Sequence, residues 1–302
     1  MSSRAATKAQ ARDKVAAMRA EQARKDRRRR VLLAGSAVLV VVAVVAALVV
    51  AKAAGVGSGS GSTSAAKPGE NATTASAAVF KDVTTVPASV LDTIGPGSAA
   101  STPKKITAPA LTVDGKPQVL YIGAEYCPYC AAQRWALAVA LSRFGTFDKL
   151  GATHSSTSDV YPDTQTLSFH DTTFTSQYLS FTGVETTDPN QKPLDSPSSA
   201  DQKTYTTYNT AKYVGSPGIP FLDIGGRYVS AGTFVDPKLL AGKSREQIAA
   251  LLAKPDSPIA KSVDGSANII TAAICDVTKG EPVKVCTSRG VGSSFAAFGK
   301  SQ

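Results

Sequence analysis

Histidine, cysteine and charged residues are all scarce in this chain of 302 residues. Two histidines exclude a histidine-rich metal site. Four cysteines in a chain of this length exclude a small scaffold that depends on many disulfides. Charged residues make up 19% of the chain, below the usual fraction of about 25%. Hydrophobic residues make up 43%, which suffices for a packed core in one or two domains.

Beyond the first 30 residues, the chain has almost no excess of positive charge. The net charge of the chain is +10, but residues 1–30 alone hold 11 basic and 3 acidic residues. The remaining residues hold 22 basic and 20 acidic ones, given the chain totals of 33 and 23. This balance excludes a basic domain as the source of the high isoelectric point, so no nucleic-acid partner is expected.

One long uncharged run follows the basic segment. Residues 31–51 are Val, Ala, Leu, Gly and one Ser, and as a helix they would span about 31 Å, the thickness of a hydrocarbon core. Four arginines at 27–30 precede the run, so we expect residues 1–30 in the cytoplasm and the rest outside it. The chain is then a single-pass protein of the cell membrane. A cleaved signal peptide that ends near Ala51 and Ala53 is the alternative.

Three further segments complete the expected domain organisation. Residues 1–30 are expected to contact anionic membrane lipid. Residues 52–79, rich in Gly, Ser, Ala and Thr, are expected to form a flexible linker. Residues 80–302 are expected to fold as one extracytoplasmic domain. All four cysteines lie in it, where an oxidising environment allows disulfides to persist.

The expected domain contains an apolar strand, a helix, a mixed region, a strand hairpin and terminal helices, and this order predicts an α/β sandwich. Residues 119–122 form an apolar, β-prone run, and residues 130–144 are apolar nearly all round. We therefore expect a central strand followed by a buried helix, with the single Trp135 in the core. The other predicted elements are helices at 87–94, 244–253 (opened by a capping box at 244–247) and 268–277, strands at 166–169 and 178–181, hairpins around Asp114-Gly115 and Gly225-Gly226, and a loop at 188–199.

Cys127 and Cys130 lie three positions apart, between the predicted strand and the predicted helix. At a helix start, the first cysteine meets unpaired backbone N–H groups and the positive end of the helix dipole, which favour its thiolate. Pro128 suits the first helical turn, where its missing N–H costs nothing. We therefore expect Cys127 to be an exposed attacking thiolate and Cys130 to be the thiol that resolves the mixed disulfide. The pattern predicts thiol–disulfide exchange.

Two other interpretations of this cysteine pair stay open. The pair could form a static disulfide, because two cysteines one turn apart can reach bonding distance. It could also form half of a zinc site. However, Cys275 and Cys286 are separated by ten residues, and His154 and His170 lie in a polar region. These spacings do not match a ribbon-type zinc site, so no metal is expected.

Residues 121–130, with the sequence YIGAEYCPYC, resemble the active-site strand and helix start of the thioredoxin superfamily. Residues 218–228 resemble its cis-proline loop and following hairpin. The wider region, 80–300, is similar to an actinobacterial family known only as domain of unknown function 929. The resemblance implies a thioredoxin-like fold, in which the segment at about 150–215 is an insertion longer than a minimal thioredoxin needs. It also implies that Pro220 is the cis residue and that the backbone of Ile219 holds the substrate. No bound cofactor is expected.

Three residues beside the cysteine pair are further candidates for the site. Tyr126 and Tyr129 flank the thiols, where they would either pack beside the motif or contact a substrate. Glu125 is expected on the surface at the strand end. The alternative is that Glu125 tunes the thiols or relays a proton to them.

Cys275 and Cys286 form the second cysteine pair of the domain. They flank a turn at 279–282 and are expected to form a structural disulfide. A loop this short makes such a disulfide worth about 2–3 kcal/mol. The alternative is a shuttle pair that passes electrons to the first cysteine pair.

The leading hypothesis is a membrane-tethered, extracytoplasmic thiol–disulfide oxidoreductase that acts on cysteine-containing envelope proteins. The predicted membrane span holds no cysteine, so it cannot carry electrons, and a separate redox partner must reset the active-site pair. The main alternative is a noncatalytic binding or scaffold domain on the same fold, with two structural disulfides. A metal-handling protein is a third hypothesis, which the small number of His and Met residues disfavours.

Overall fold

The computed structural model describes residues 73–298. The predicted basic segment at 1–30, the membrane span at 31–51 and the part of the linker before residue 73 lie outside the described residues. Within the described part, no helix is both long enough and apolar enough to cross a membrane. Residues 73–298 form a mixed α/β structure with several sheets.

Runs of strands and runs of helices follow one another along the described chain. The strands are β1 (Thr73–Thr74), β2 (Lys104–Lys105), β3 (Thr112–Val113), β4 (Lys116–Gly123), β5 (Thr146–Phe147), β6 (Gly151–His154), β7 (Gln165–Ser168), β8 (Phe174–Thr175), β9 (Ser180–Glu185), β10 (Phe221–Ile224) and β11 (Tyr228–Ala231). The helices are α1 (Ala77–Thr84), α2 (Ala88–Ile94), α3 (Pro128–Leu141), α4 (Ser199–Tyr208), α5 (Ala211–Val214), α6 (Arg245–Leu252), α7 (Pro258–Val277), α8 (Val283–Cys286) and α9 (Arg289–Phe298), with a 3-10 turn at Pro237–Leu240.

The folded region begins before residue 80, which corrects the predicted end of the linker. β1 pairs with β6, and α1 follows it. The hydroxyl of Ser76 accepts a hydrogen bond from the backbone N–H of Val79 at 3.3 Å and so caps the helix. Val79 and Val83 lie one turn apart and are both buried. The small residues around these two valines gave the segment a linker-like composition.

β4 is the centre of a six-stranded sheet. On one edge it pairs antiparallel with β10, and β11 and β2 continue the sheet beyond β10. On the other edge it pairs in parallel with β9 over residues 118–123. Val119 and Tyr121 face the main core, and Leu120 and Ile122 face a smaller apolar cluster under α4 and α5. Both faces of this strand are covered, as its unbroken apolar run predicts.

The main core lies between this sheet and two long helices. α3 is buried along nearly its whole length, and Trp135 is fully buried, as predicted. α7 begins at Pro258, well before the predicted start at 268, and the hydroxyl of Ser257 caps it. Its first half contains Gly265, which would not be expected inside a helix. A side chain there would overlap the backbone of Pro96, so close packing explains this glycine.

Both predicted hairpins are present, as the β3–β4 and β10–β11 pairs. Asp114 and Gly115 have φ angles of +50° and +74°, and Gly225 and Gly226 have φ angles of +65° and +69°. Aspartate and glycine tolerate such angles better than other residues, which is why these dipeptides mark hairpins. The predicted strands at 166–169 and 178–181 correspond to β7 and β9, and the predicted helices at 87–94 and 244–253 correspond to α2 and α6.

Candidate functional site

Cys127 is the N-cap residue of α3. The chain leaves β4 at Gly123 and enters the helix at Pro128, so the cysteine pair lies at the carboxyl end of the central strand. The Sγ atom of Cys127 accepts a hydrogen bond from the backbone N–H of Cys130 at 3.3 Å. A thiolate in this position is stabilised by that N–H and by the positive end of the helix dipole.

Both thiols of the pair are free and buried. Cys127 is 6% exposed and Cys130 is fully buried, so the prediction of an exposed Cys127 is wrong. The reason is that the loop before β10 covers its sulfur. The thiol of Cys127 donates a weak hydrogen bond to the carbonyl oxygen of Ile219 in that loop, at 4.0 Å. A partner sulfur must therefore approach the small part of Cys127 that stays exposed.

The loop that covers Cys127 contains a cis peptide bond between Ile219 and Pro220, as the resemblance implies. The side chain of Asn209 holds this loop. Its amide oxygen accepts from the N–H of Gly218 at 3.0 Å, and its amide nitrogen donates to the carbonyl oxygen of Gly218 at 3.1 Å. β10 begins directly after Pro220 and pairs with β4, so the sheet brings the loop to the cysteine pair.

The two thiols differ in acidity. The pKa of Cys127 is lowered to about 7, chiefly because the thiol of Cys130 donates a hydrogen bond to its sulfur. Burial opposes this shift, and the Cys130 N–H and the charge of Arg134 add to it. Burial raises the pKa of Cys130 well above its usual value, and its interactions with Cys127 raise it further. The site can therefore hold a thiolate at Cys127 while Cys130 keeps its proton.

A buried ion pair lies one helical turn beyond Cys130. Arg134 and Glu185 are both fully buried, and two guanidinium nitrogens donate to the two carboxylate oxygens at 2.7 Å each. The same guanidinium donates to the carbonyl oxygen of Ala124 at 2.7 Å. The positive charge of Arg134 contributes to lowering the pKa of both thiols, although burial outweighs it at Cys130. The charge of Arg134 thus favours the thiolate form of Cys127.

Neither member of this ion pair was predicted from the sequence. Arg134 is a lone charge in an otherwise apolar helix, and a charge in such a place needs a buried partner. That signal was present in the sequence. Glu185 ends β9, 51 residues further along the chain, and no local pattern marks it as the partner. The parallel pairing of β9 with β4 is what brings it to the cysteine pair.

Glu125 is fully buried, so the prediction of a surface residue is wrong. Its Oε2 atom accepts a hydrogen bond from the hydroxyl of Thr153 at 2.9 Å. Its Oε1 atom is buried and has no hydrogen-bond partner among residues 73–298. The reason for the burial is that β6, which carries Thr153, covers the end of β4, and the sequence does not show this packing.

Tyr126 and Tyr129 flank the thiols and differ in exposure. Tyr129 is 41% exposed, and its ring packs edge-to-face against Tyr161 with the centroids 6.0 Å apart. Tyr126 is half-buried, and its carbonyl oxygen accepts a hydrogen bond from the N–H of Ser156 at 2.8 Å. Both tyrosines therefore pack beside the motif and keep some ring surface free. Their role as substrate contacts stays a prediction.

Both histidines pair with carboxylates. His154 lies 3.2 Å from a carboxylate oxygen of Asp163, and His170 lies 2.7 Å from one of Asp195. In the part of the chain that the structure describes, no group of three or more His, Cys, Asp and Glu side chains is arranged to hold a metal ion. The reactive groups that this site offers are therefore the two neighbouring thiols of Cys127 and Cys130.

Cys275 and Cys286 form a disulfide, as predicted. It joins the end of α7 to α8. A side chain at Gly225 would overlap Val277, two residues after Cys275, so this end of α7 packs on the β10–β11 turn. Pro220 lies at the other end of β10, about 16 Å away along an extended strand. The disulfide therefore lies at the end of the sheet opposite Cys127 and Cys130, which favours the structural role over the shuttle.

Removal of this disulfide is expected to lower the free energy of unfolding by about 2–3 kcal/mol. The bond spans a sequence separation of 11 residues, and its loss frees that loop in the unfolded chain. Chemical denaturation of the purified full chain, with and without Cys275→Ser and Cys286→Ser together, measures the cost. Equal stability of the two proteins would contradict the structural role.

The described residues thus define a mixed α/β protein with a cysteine pair of unequal acidity at the start of a buried helix. Residues 102–276 match the family described as domain of unknown function (DUF929), and because this match covers more than half of the chain, the protein belongs to that family. Residues 9–68, which lie outside the described residues, match the family described as inhibitor of host cell division protein domain. No curated protein and no solved structure matches the chain.

Proposed function

We propose that the protein is a thiol–disulfide oxidoreductase with a thioredoxin-like fold, in which Cys127 is the attacking thiolate and Cys130 the resolving thiol. The observation that carries the proposal is the position of Cys127 at the N-cap of α3, where the N–H and the thiol of Cys130 both donate to its sulfur. Since the pKa of Cys127 is about 7, roughly half of the molecules carry the thiolate at neutral pH. A purely structural cysteine pair has no need for a lowered pKa.

The arrangement of strands around the pair supports a place in the thioredoxin superfamily. A central strand leads into the cysteine motif and a helix, the parallel strand β9 borders it, and the β10–β11 hairpin follows a cis-proline loop. In that superfamily, the backbone before the cis-proline holds the substrate strand, a role that would fall on Ile219. The carbonyl oxygen of Ile219 lies 4.0 Å from the sulfur of Cys127, so one partner segment can reach both.

The exchange reaction has two steps. In the first, the Cys127 thiolate attacks one sulfur of a partner disulfide. That S–S bond breaks, and the other sulfur leaves with the electron pair as a thiolate. In the second, the Cys130 thiol gives up its proton and attacks Cys127, so that a Cys127–Cys130 disulfide forms and the partner's remaining sulfur leaves and takes up a proton. Two electrons then have passed to the partner, and the reverse sequence oxidises a partner dithiol.

In this proposal, the partners are cysteine-containing proteins of the cell envelope and a second redox protein. The span predicted at 31–51 would hold the domain outside the cytoplasm, with residues 1–30 against the inner lipid surface. Because the span holds no cysteine, the second redox protein resets the cysteine pair after each cycle. Tyr126 and Tyr129 offer ring surface to these partners beside Cys127.

The test is a trap for the mixed disulfide. Cys130→Ser removes the resolving thiol, while the serine hydroxyl keeps a hydrogen-bond donor beside Cys127. In cells that express the full-length variant, we expect mixed disulfides between Cys127 and envelope proteins. These adducts should persist on non-reducing gels and disappear with a reductant. Mass spectrometry of the adducts identifies the partner cysteines.

The matched control adds Cys127→Ser to Cys130→Ser, which removes the attacking sulfur, so no adducts are expected from it. The proposal fails if Cys130→Ser alone gives no adducts and Cys127 titrates with an ordinary pKa of about 8.5. That result would favour a noncatalytic binding or scaffold domain.

A further inference from the structure

The loop between β6 and β7, residues 155–164, forms a wall beside the cysteine motif. The N–H of Ser156 donates to the carbonyl oxygen of Tyr126 at 2.8 Å, which attaches the loop to the motif. The loop is closed at its base by the N–H of Ser155, which donates to the carbonyl oxygen of Thr164 at 3.0 Å. These bonds hold a short surface segment in one place relative to the reactive sulfur.

Three tyrosine rings lie along this wall and the motif. Tyr129 is 41% exposed, and its ring meets that of Tyr161 at 86° with the centroids 6.0 Å apart. Tyr126 is half-buried. The faces of such rings carry partial negative charge and attract cations. Together with the aspartate of the loop, these rings form what we call the tyrosine–aspartate rim, which consists of Tyr126, Tyr129, Asp159 and Tyr161.

Asp159 brings a full negative charge to the rim. The residue is exposed, and its Oδ1 atom accepts a hydrogen bond from the N–H of Val160 at 2.6 Å. Within residues 73–298, no lysine or arginine forms an ion pair with it. Burial is the main cause that raises the pKa of Tyr126, and Asp159 is among the negative groups that add to it. The carboxylate of Asp159 therefore acts electrostatically on Tyr126 and has no ion-pair partner among residues 73–298.

Asp163 belongs to the same loop but differs in its contacts. Its carboxylate lies 3.2 Å from the Nδ1 atom of His154 and accepts a hydrogen bond from the side-chain amide of Gln165 at 3.0 Å. Asp163 is thus engaged within the protein, whereas Asp159 is open to a partner. The two aspartates form a matched pair for an experiment.

We propose that the tyrosine–aspartate rim binds a lysine or arginine side chain of the partner polypeptide, next to the cysteine that exchanges with Cys127. This inference rests on the proposed function, because it names the partner chemistry of the same site. A cation over tyrosine rings is attracted by their electron-rich faces, and the nearby carboxylate adds a second attraction. An acidic side chain in the same place would meet Asp159 and be repelled.

The test compares three short peptides, each with one cysteine joined by a disulfide to thionitrobenzoate. The residue beside the cysteine is arginine, its neutral isostere citrulline, or glutamate. The Cys127 thiolate of the reduced full chain attacks the peptide sulfur, the disulfide breaks, and thionitrobenzoate leaves with the electron pair as a coloured thiolate. We expect the arginine peptide to react about three to ten times faster than the citrulline peptide, and the glutamate peptide to be slowest.

Two variants test whether the rim causes this preference. Asp159→Asn is expected to narrow the difference in reaction rate between the arginine and citrulline peptides. Added salt is expected to narrow the same difference in the unchanged protein, because salt screens exposed charges. Asp163→Asn is expected to leave this difference in reaction rate unchanged. Equal rates for the arginine and citrulline peptides, or an unchanged preference in Asp159→Asn, would contradict the proposed binding of a cation by the rim. Neither result would contradict the exchange activity. If none of the three peptides reacts, the proposed function fails, and this inference fails with it.

Discussion

Replacement of Arg134 with methionine (Arg134→Met) is expected to lower the free energy of unfolding by about 3–5 kcal/mol. The change removes the partner of Glu185, whose fully buried carboxylate must then carry an unpaired charge or take up a proton. It also removes the donor that lies 2.7 Å from the carbonyl oxygen of Ala124. Chemical denaturation of the purified full chain measures the loss.

A second change separates the lost charge pair from lost packing. Arg134→Met combined with Glu185→Gln leaves no buried charge, so the double variant should be more stable than Arg134→Met alone. The ion pair of Arg227 with Asp276 is the matched control, because Arg227 is 47% exposed. Arg227→Met should therefore cost less than about 1 kcal/mol. Equal costs for the two arginine variants would contradict the expected role of the buried pair.

The Cys127 thiol is expected to react with iodoacetamide with a midpoint near pH 7, since its pKa is lowered to about 7. A lowered pKa means that the thiolate persists at lower pH than in an ordinary cysteine, whose pKa is about 8.5. At about pH 6, roughly a tenth of Cys127 would be thiolate, against roughly 0.3% of an ordinary cysteine, a difference of about 30-fold. Alkylation rates of the reduced full chain, followed by mass spectrometry of the Cys127 peptide at a series of pH values, measure the midpoint.

Cys130→Ala tests the cause of this acidity. It removes the thiol that donates to the sulfur of Cys127, which is the largest contribution to the lowered pKa. The midpoint is therefore expected to rise towards about 8.5. The control is Cys275→Ser with Cys286→Ser, which changes the far end of the sheet and should leave the midpoint unchanged. A midpoint near 8.5 in the unchanged protein would mean that Cys127 is not activated.

Elements that depend on neighbouring residues are predictable from this sequence. The hairpin at Asp114-Gly115, the capping box at Ser244 and the helix start at Cys127 all occur where their local patterns indicate. In each case, the backbone groups and the side chains that satisfy them lie within four residues of each other. Such interactions need no information from the rest of the chain.

The wrong predictions at the site share another cause, which is distance along the chain. Glu125 is buried because it meets Thr153, 28 residues later. Cys127 is covered by the loop that carries Ile219, 92 residues later. A strand end and a helix start look open when only their neighbours are considered. Strands and loops from far along the chain close over them.

By itself, the sequence determined the cysteine pair, its place between an apolar strand and a helix, and the family to which the protein belongs. These features depend on residue type and spacing alone. The tertiary structure decided what surrounds the pair: the carbonyl oxygen of Ile219 over Cys127, the ion pair of Arg134 with Glu185 beneath it, and the loop that carries Asp159 beside it. The physical reason is that the acidity of a thiol depends on burial and on charges within a few ångströms. Those groups come from segments that only the folded sheet and its loops bring together.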